Sequence, residues 1–250
     1  MNSFTQEDFF LVTGASSGIG RAVALLLNEL GATVLAHGRD AARLEEVRSA
    51  ATTPSRIFPE SRELTLDMPG LPLWLRSLVA KYSLLRGMVC CAGITWNAPM
   101  SLYDYGKSRE IFDICCHAPL MLGSAFCDRR NNTGPGAAVV FIAAAAAVDP
   151  NPGQGIYAAA KAGLVGGARC LAKEAASRGI RVNCVSPGLV ESPMMDATVQ
   201  QLGKSFLERE QNLYPLGFGL PDDVAHLTAF LLSSNARWLT GQNILLSGGR

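Results

Sequence analysis

Residues 9–23, Phe9-Phe10-Leu11-Val12-Thr13-Gly14-Ala15-Ser16-Ser17-Gly18-Ile19-Gly20-Arg21-Ala22-Val23, join an apolar run to a glycine turn and to a helical pattern that continues through Leu26, Leu27 and Leu30. The order reads strand, turn, helix. Glycines at 14, 18 and 20 let the backbone bend tightly and approach a pyrophosphate, whose charge is met by free amides at the start of the helix. A glycine motif gains meaning only from such a context, and here both flanks supply it.

Working outward, Gly31 ends the first helix and Thr33 to Ala36 forms a second strand leading to His37-Gly38-Arg39. An adenosine ribose is read at this position, about twenty residues after the turn. A carboxylate would suit a free 2'-hydroxyl, whereas Gly38 and Arg39 suit a 2'-phosphate. Glu63 to Leu66 is read as a third strand ending at Asp67, and Leu71 to Tyr82 as the next helix. Gly87 to Cys91, Ala137 to Ile142, Arg181 to Ser186 and Asn243 to Leu246 complete a set of seven strands. Helices are expected over Ser108 to Phe126, Gln154 to Ser177 and Pro221 to Leu232, and Glu191 to Tyr214 has the polar, Met-containing character of a lid. Short βα units with apolar strands predict an α/β fold: one Rossmann-type, doubly wound parallel sheet of seven strands with helices on both faces, spanning residues 1–250 as one domain. Ligand then belongs at the carboxyl ends of the strands.

The helix expected over Gln154 to Ser177 carries Tyr157-Ala158-Ala159-Ala160-Lys161. A spacing of four stacks the phenol and the ammonium on one face. A cation beside a phenol favours the phenolate, so the Tyr157 pKa is expected to fall from about 10 and the group to serve as a general acid/base.

Composition excludes several classes. Twenty-two basic residues against twenty-one acidic ones leave a net charge of +1 without a basic stripe, so nucleic acid is not an expected partner. Residues 1–8 are polar and acidic, unlike a signal peptide, and the longest apolar run, Gly136 to Val148, is too short for a bilayer; a cytosolic, cytoplasmic protein is expected. Seven cysteines without C-x-x-C spacing indicate neither a disulfide framework nor a zinc site. Cys115, Cys116 and His117 are consecutive and point apart on a helix, so no metal is expected there.

In motif order and spacing the chain resembles the short-chain dehydrogenase/reductases along nearly its whole length: TGASSGIG at Thr13 to Gly20, YAAAK at Tyr157 to Lys161, RVNCVSPG at Arg181 to Gly188 and LTGQ at Leu239 to Gln242. Within the family it is most similar to the beta-ketoacyl-(acyl carrier protein) reductases. The resemblance implies NADP(H), a homotetramer and reduction of a ketone or beta-ketoacyl thioester. It implies a cofactor site of Gly14, Ser16, Ser17, Gly18, Ile19, Gly20 and Arg39, continued by Ala92, Gly93, Pro187, Gly188 and Val190. By the same resemblance Asp67 contacts the adenine, Lys161 the nicotinamide ribose and Ser192 the carboxamide, with Tyr157 and Lys161 catalytic. The long apolar faces of the helices over Ser108 to Phe126 and Gln154 to Ser177, where Leu164, Ala168 and Leu171 recur, are read as the tetramer interface.

The departures bear on activity. Cys90-Cys91 stand where the family has Asn-Asn, Cys115 where its helical Asn would be, and Ala144, between Ala143 and Ala145, where it has a catalytic serine. Asn97, Asn151 and Gln154 are the nearby polar candidates to replace that serine's donor. Two readings stay open: a reductase working through Tyr157 and Lys161, and an NADP(H)-binding subunit or sensor that has lost its chemistry. Substrate choice falls to the lid and to the loop from Ile94 to Tyr105.

Overall fold

A computed structural model describes residues 3–250. Seven strands form one parallel sheet: β1 (Phe9–Thr13), β2 (Thr33–Gly38), β3 (Ile57–Ser61), β4 (Leu85–Cys90), β5 (Ala138–Ile142), β6 (Arg181–Pro187) and β7 (Asn243–Leu246), in the spatial order β3-β2-β1-β4-β5-β6-β7. Between the strands run α1 (Gly18–Glu29), α2 (Ala41–Ala50), α3 (Leu71–Lys81), α4 (Tyr105–Phe112), α5 (Ala118–Phe126) and α6 (Gly155–Ala176). The chain ends with α7 (Pro193–Leu202), α8 (Lys204–Gln211) and α9 (Pro221–Leu232).

Each central strand is buried on both faces, which is why β5 is apolar without alternation, while the polar Arg181, Asn183 and Ser186 of the equally buried β6 are hydrogen-bonded. One face packs Leu71, Leu75 and Leu78 of α3, Leu122 and Phe126 of α5, and Leu164, Ala168 and Leu171 of α6 against the sheet. The other face packs Val23 and Leu27 of α1, Leu44 and Val47 of α2, and Val224 and Leu232 of α9. Leu164, Ala168 and Leu171 therefore belong to the protein's own core and not to an interface between copies. Helical periodicity records that a face is buried, not by what. No described helix is long and apolar enough to cross a membrane.

Two elements differ from the sequence reading. The third strand lies at Ile57–Ser61, six residues before the expected end at Asp67. It pairs on one side only, with β2, and an edge strand tolerates Pro59, which made this segment unlike a strand in sequence. The helix expected over Ser108 to Phe126 is interrupted by a π turn at Asp113–His117. Pro119 has no N–H to give to the carbonyl four residues back, at Cys115, so the regular ladder cannot continue there.

At the end of β2, His37 is 2% exposed and its Nε2 donates to the carbonyl of Arg62 at 3.0 Å. Its ring meets Trp74 of α3 edge-on with centroids 5.0 Å apart. Nδ1 is buried without a partner among the described residues, so a second proton would be an unsatisfied cation. Burial accordingly pulls the His37 pKa down to about 4, against the smaller upward pull of the Arg62 carbonyl and of Glu63. Because the folded value lies below the unfolded one, the unfolded chain takes up this proton first. The contribution to stability is complete above the unfolded value of 6.5 and is lost as pH falls toward 4. Between pH 7 and pH 5 the wild type should lose about 2 kcal/mol that a His37→Gln variant does not lose. Urea denaturation of both proteins at the two pH values measures this, and parallel pH profiles would refute it.

Candidate active site

The order β2-β1-β4 places a switch point between β1 and β4, where a crevice opens at the carboxyl ends. Gly14 leaves β1 with φ +70°, and a Cβ there would come within 2.7 Å of the Ala92 backbone nitrogen. A Cβ on Gly20 would come within 2.1 Å of the Gly14 carbonyl oxygen. Only glycine fits at either position. Ser17 stands at the N-cap of α1, but its side chain makes no capping bond, so the first amides of the helix remain open donors on the crevice. The result is a cleft of about 650 Å³ whose wall includes Ser16, Ser17, Gly18 and Ile19. Gly38 and Arg39 close one end of it, and Ala92 and Gly93 lie near the other. An anionic dinucleotide fits this donor set: free helix-start amides, a cradle that any side chain would fill, and a cation at the far end.

At that far end the Arg39 guanidinium is 72% exposed and lies 3.3 Å from the Glu63 carboxylate. Burial acts to raise the Glu63 pKa, but bonds from the Thr65 amide and hydroxyl and from Arg39 outweigh it and hold the carboxyl below its ordinary value. Asp67 is not part of this wall. Its carboxylate accepts from the Gly70 amide at 3.1 Å and lies 3.3 Å from Arg62. Arg62, Glu63, Leu64 and Thr65 line the cleft instead, because β3 ends early and the chain has already crossed the crevice before Asp67. Misplacing the edge strand hid these four residues. The sequence signal that could have found them is Leu64, buried within a polar stretch.

A second cavity, of about 150 Å³, adjoins the first; Ile19, Cys91, Gly93, Ser192 and Met194 line both. Tyr157 and Lys161, on one face of α6, reach it together, with the Lys161 nitrogen 5.8 Å from the phenol centroid. Lys161 is 4% exposed and donates to the Ile142 carbonyl at 2.7 Å. The half-buried Tyr157 packs on Ala144, Ala146 and Ala158. Burial raises the Tyr157 pKa, and the Lys161 cation offsets only part of that. The fall expected from sequence is therefore reversed, because spacing reveals the cation but not the desolvation.

Cys115 is carried under this cavity by the π turn, and its Sγ donates to the Ile94 carbonyl at 3.3 Å. A Cβ on Gly93 would stand 3.4 Å from that sulfur and 3.8 Å from the Lys161 nitrogen. Burial pushes the Cys91 thiol up to about 12, and Cys90 is raised for the same reason, so neither is a thiolate near neutrality. Pro187, Gly188 and Val190 line the same cavity from the end of β6. Ser192 caps α7 by accepting the Met195 amide at 3.4 Å and donates to the Val190 carbonyl at 3.0 Å.

Of the three polar candidates near Ala144, two are committed elsewhere. Gln154 Oε1 accepts the Asn151 amide at 2.9 Å, and the Asn151 side chain bonds Glu210 and Arg250. Asn97 lines the cavity, and its Nδ2 has no partner among the described residues.

Comparison with known proteins agrees with this geometry. A family model described as enoyl-(acyl carrier protein) reductase matches residues 14–250. The chain is 34% identical to the 3-oxoacyl-(acyl-carrier-protein) reductase of Rickettsia conorii over 240 residues, 96% of this chain and 95% of that one. A putative NAD(P)-dependent gluconate 5-dehydrogenase of Beutenbergia cavernae, solved with bound NADP at low occupancy, superimposes with TM-score 0.87 at 28% identity, covering 99% of this chain and 97% of that one. A short-chain dehydrogenase/reductase of Brucella melitensis, named a glucose/ribitol dehydrogenase, gives 0.90 at 25% identity over 100% and 98% of the two chains. With the family model spanning the glycine turn, the Tyr157 helix and the end of the sheet, the chain belongs to the short-chain dehydrogenase/reductase family.

Proposed function

We propose that the protein is an NADPH-dependent reductase that converts a ketone or beta-ketoacyl thioester to the alcohol, with Tyr157 as proton donor. The observation that carries this reading is the position of Tyr157 and Lys161 in the small cavity that shares a wall with the dinucleotide cleft. Bound in that cleft, a reduced nicotinamide would supply the hydride. The chain's own part is to place a carbonyl oxygen against Tyr157 and to protonate it as charge develops. A phenol raised by burial stays protonated at neutral pH, which favours the role of acid over that of base. The Lys161 ammonium stabilises the phenolate left behind. At about 150 Å³ the cavity is small beside the several hundred cubic ångströms of a usual ligand pocket, so it takes the reacting end of a substrate whose remainder lies outward. The 3-oxoacyl reductase name of the Rickettsia conorii relative agrees with that shape.

The donor that serine supplies in the family is absent at Ala144, and Asn97 is the side chain free to replace it. Losing one such donor costs about 10²- to 10³-fold in rate. Ala144→Ser should therefore raise kcat/KM on a tolerated ketone by at least about tenfold, and Asn97→Ala should cost more in the wild type than in that variant. Tyr157→Phe should remove turnover in both backgrounds. An Ala144→Ser protein that binds NADPH and turns over no ketone would instead favour a nucleotide-binding subunit without chemistry, the reading to which Ala144 itself lends weight.

Arg39, exposed and paired with Glu63, is the group proposed to take the adenosine 2'-phosphate. The NADP-bound Beutenbergia cavernae neighbour lends support. Fluorescence titration should show NADPH bound more tightly than NADH, and Arg39→Asp should reverse the order; equal affinities in the wild type would remove the assignment. The homotetramer of the family is proposed for this chain as well, and light scattering would refute it by giving a monomer of 26.5 kDa.

A further inference from the structure

The cavity around Tyr157 contains charges that proton donation does not use. Glu210 of α8 and Arg250 form an ion pair at 2.6 Å with side chains 9% and 17% exposed. Asn151, in the loop before α6, closes the group from both sides: its Nδ2 donates to Glu210 at 3.2 Å and its Oδ1 accepts from Arg250 at 2.5 Å. Arg250 also donates to the Tyr214 hydroxyl at 3.2 Å, and that hydroxyl accepts the Leu189 amide at 3.0 Å. Tyr214 lies so close to the end of β6 that a Cβ on Gly188 would stand 2.8 Å from its ring. Arg250, Asn151, Tyr214 and Leu189 all line the cavity that holds Tyr157.

The network ties together three segments far apart in sequence: the loop before α6, the second lid helix and the segment after β7. A buried ion pair is weak as a source of stability, because desolvation consumes most of the Coulomb gain, but strict as a fixer of geometry. Asp149, Lys161 and Arg250 line the same cavity and Glu210 pairs with Arg250, so two cations there stand against two carboxylates.

We propose that Glu210 and Arg250 are a latch that holds α8 over the cavity and, through Tyr214, fixes the Leu189 backbone beside the reacting groups. They are positioning residues. Their effect on KM, through a substrate end held under a closed lid, rests on the reductase reading; their effect on the lid does not.

The test uses the full chain and a Glu210→Gln/Arg250→Gln variant, which removes both charges without stranding either. Amide hydrogen exchange in 204–214 should become at least about tenfold faster, while peptides of α1 and β4 keep their wild-type rates. On a tolerated ketone, KM should rise at least about tenfold with a smaller change in kcat. Arg250→Lys, which keeps the cation, should recover most of both effects. Tyr214→Phe deletes one hydroxyl and no charge, and should speed exchange at 188–190 even if the double variant fails to fold. Exchange unchanged within about twofold in the lid of the double variant, or at 188–190 of Tyr214→Phe, overturns the latch. Faster lid exchange with no turnover by either wild type or variant would leave the latch standing and remove the reductase reading.

Discussion

Where β1 and β4 end, two backbones run in contact, and the rest of the site depends on that contact. Cys91 donates its amide to the Thr13 carbonyl at 3.1 Å, and Ala15 donates to the His37 carbonyl at 2.8 Å, so the turn is pinned to both neighbouring strands. With Gly14 and Gly20 the turn lies flat and α1 begins at once, directing its uncapped amides into the crevice. A side chain at either glycine would push the turn off β4. The anion site, the opening between the two cavities and the approach of Gly93 to Lys161 would move together.

The groups around Lys161 are unusual in what they lack. Cys91 and Cys115 occupy places where amides would offer both donors and acceptors, and a thiol offers little of either. The buried ammonium has the Ile142 carbonyl as its hydrogen-bond acceptor, with the Tyr157 ring above it. The thiols contribute packing: Cys115 fills the space beneath Gly93, and the π turn forced by Pro119 aims it there. The site thus surrounds its cation and phenol with apolar filling.

What could be read from sequence was whatever depends on local pattern. β1, its turn, α9 and β7 announce themselves through apolar runs bounded by glycine or proline, and Tyr157 and Lys161 share a face simply because they are four apart. Three features needed the assembled fold. Pro59 and Glu60 conceal an edge strand, since an edge tolerates what a central strand forbids, and the misplacement carried Asp67 into a cleft lined in fact by Leu64 and Thr65. The direction of the Tyr157 shift depends on burial from Ala144, Ala146 and Ala158, which spacing cannot express. Asn151 read as a turn residue and is one, yet its side chain also bridges Glu210 and Arg250, partners 59 and 99 residues away.

The alanines after β5 then have a physical meaning of their own. Tyr157 makes no side-chain hydrogen bond among the described residues; it is held by methyl groups at 144, 146 and 158 and by the cation beneath it. A serine at 144 would bring an acceptor as well as a donor, and an acceptor can hold the phenolic proton in the ground state. Packing alone fixes the ring and leaves the proton uncommitted. On the reductase reading, the oxygen of the bound carbonyl is then the natural acceptor for it. As negative charge grows on that oxygen the hydrogen bond from Tyr157 strengthens, and such differential binding of the transition state is what accelerates a reaction. On that reading the site offers the substrate one donor, free of competition.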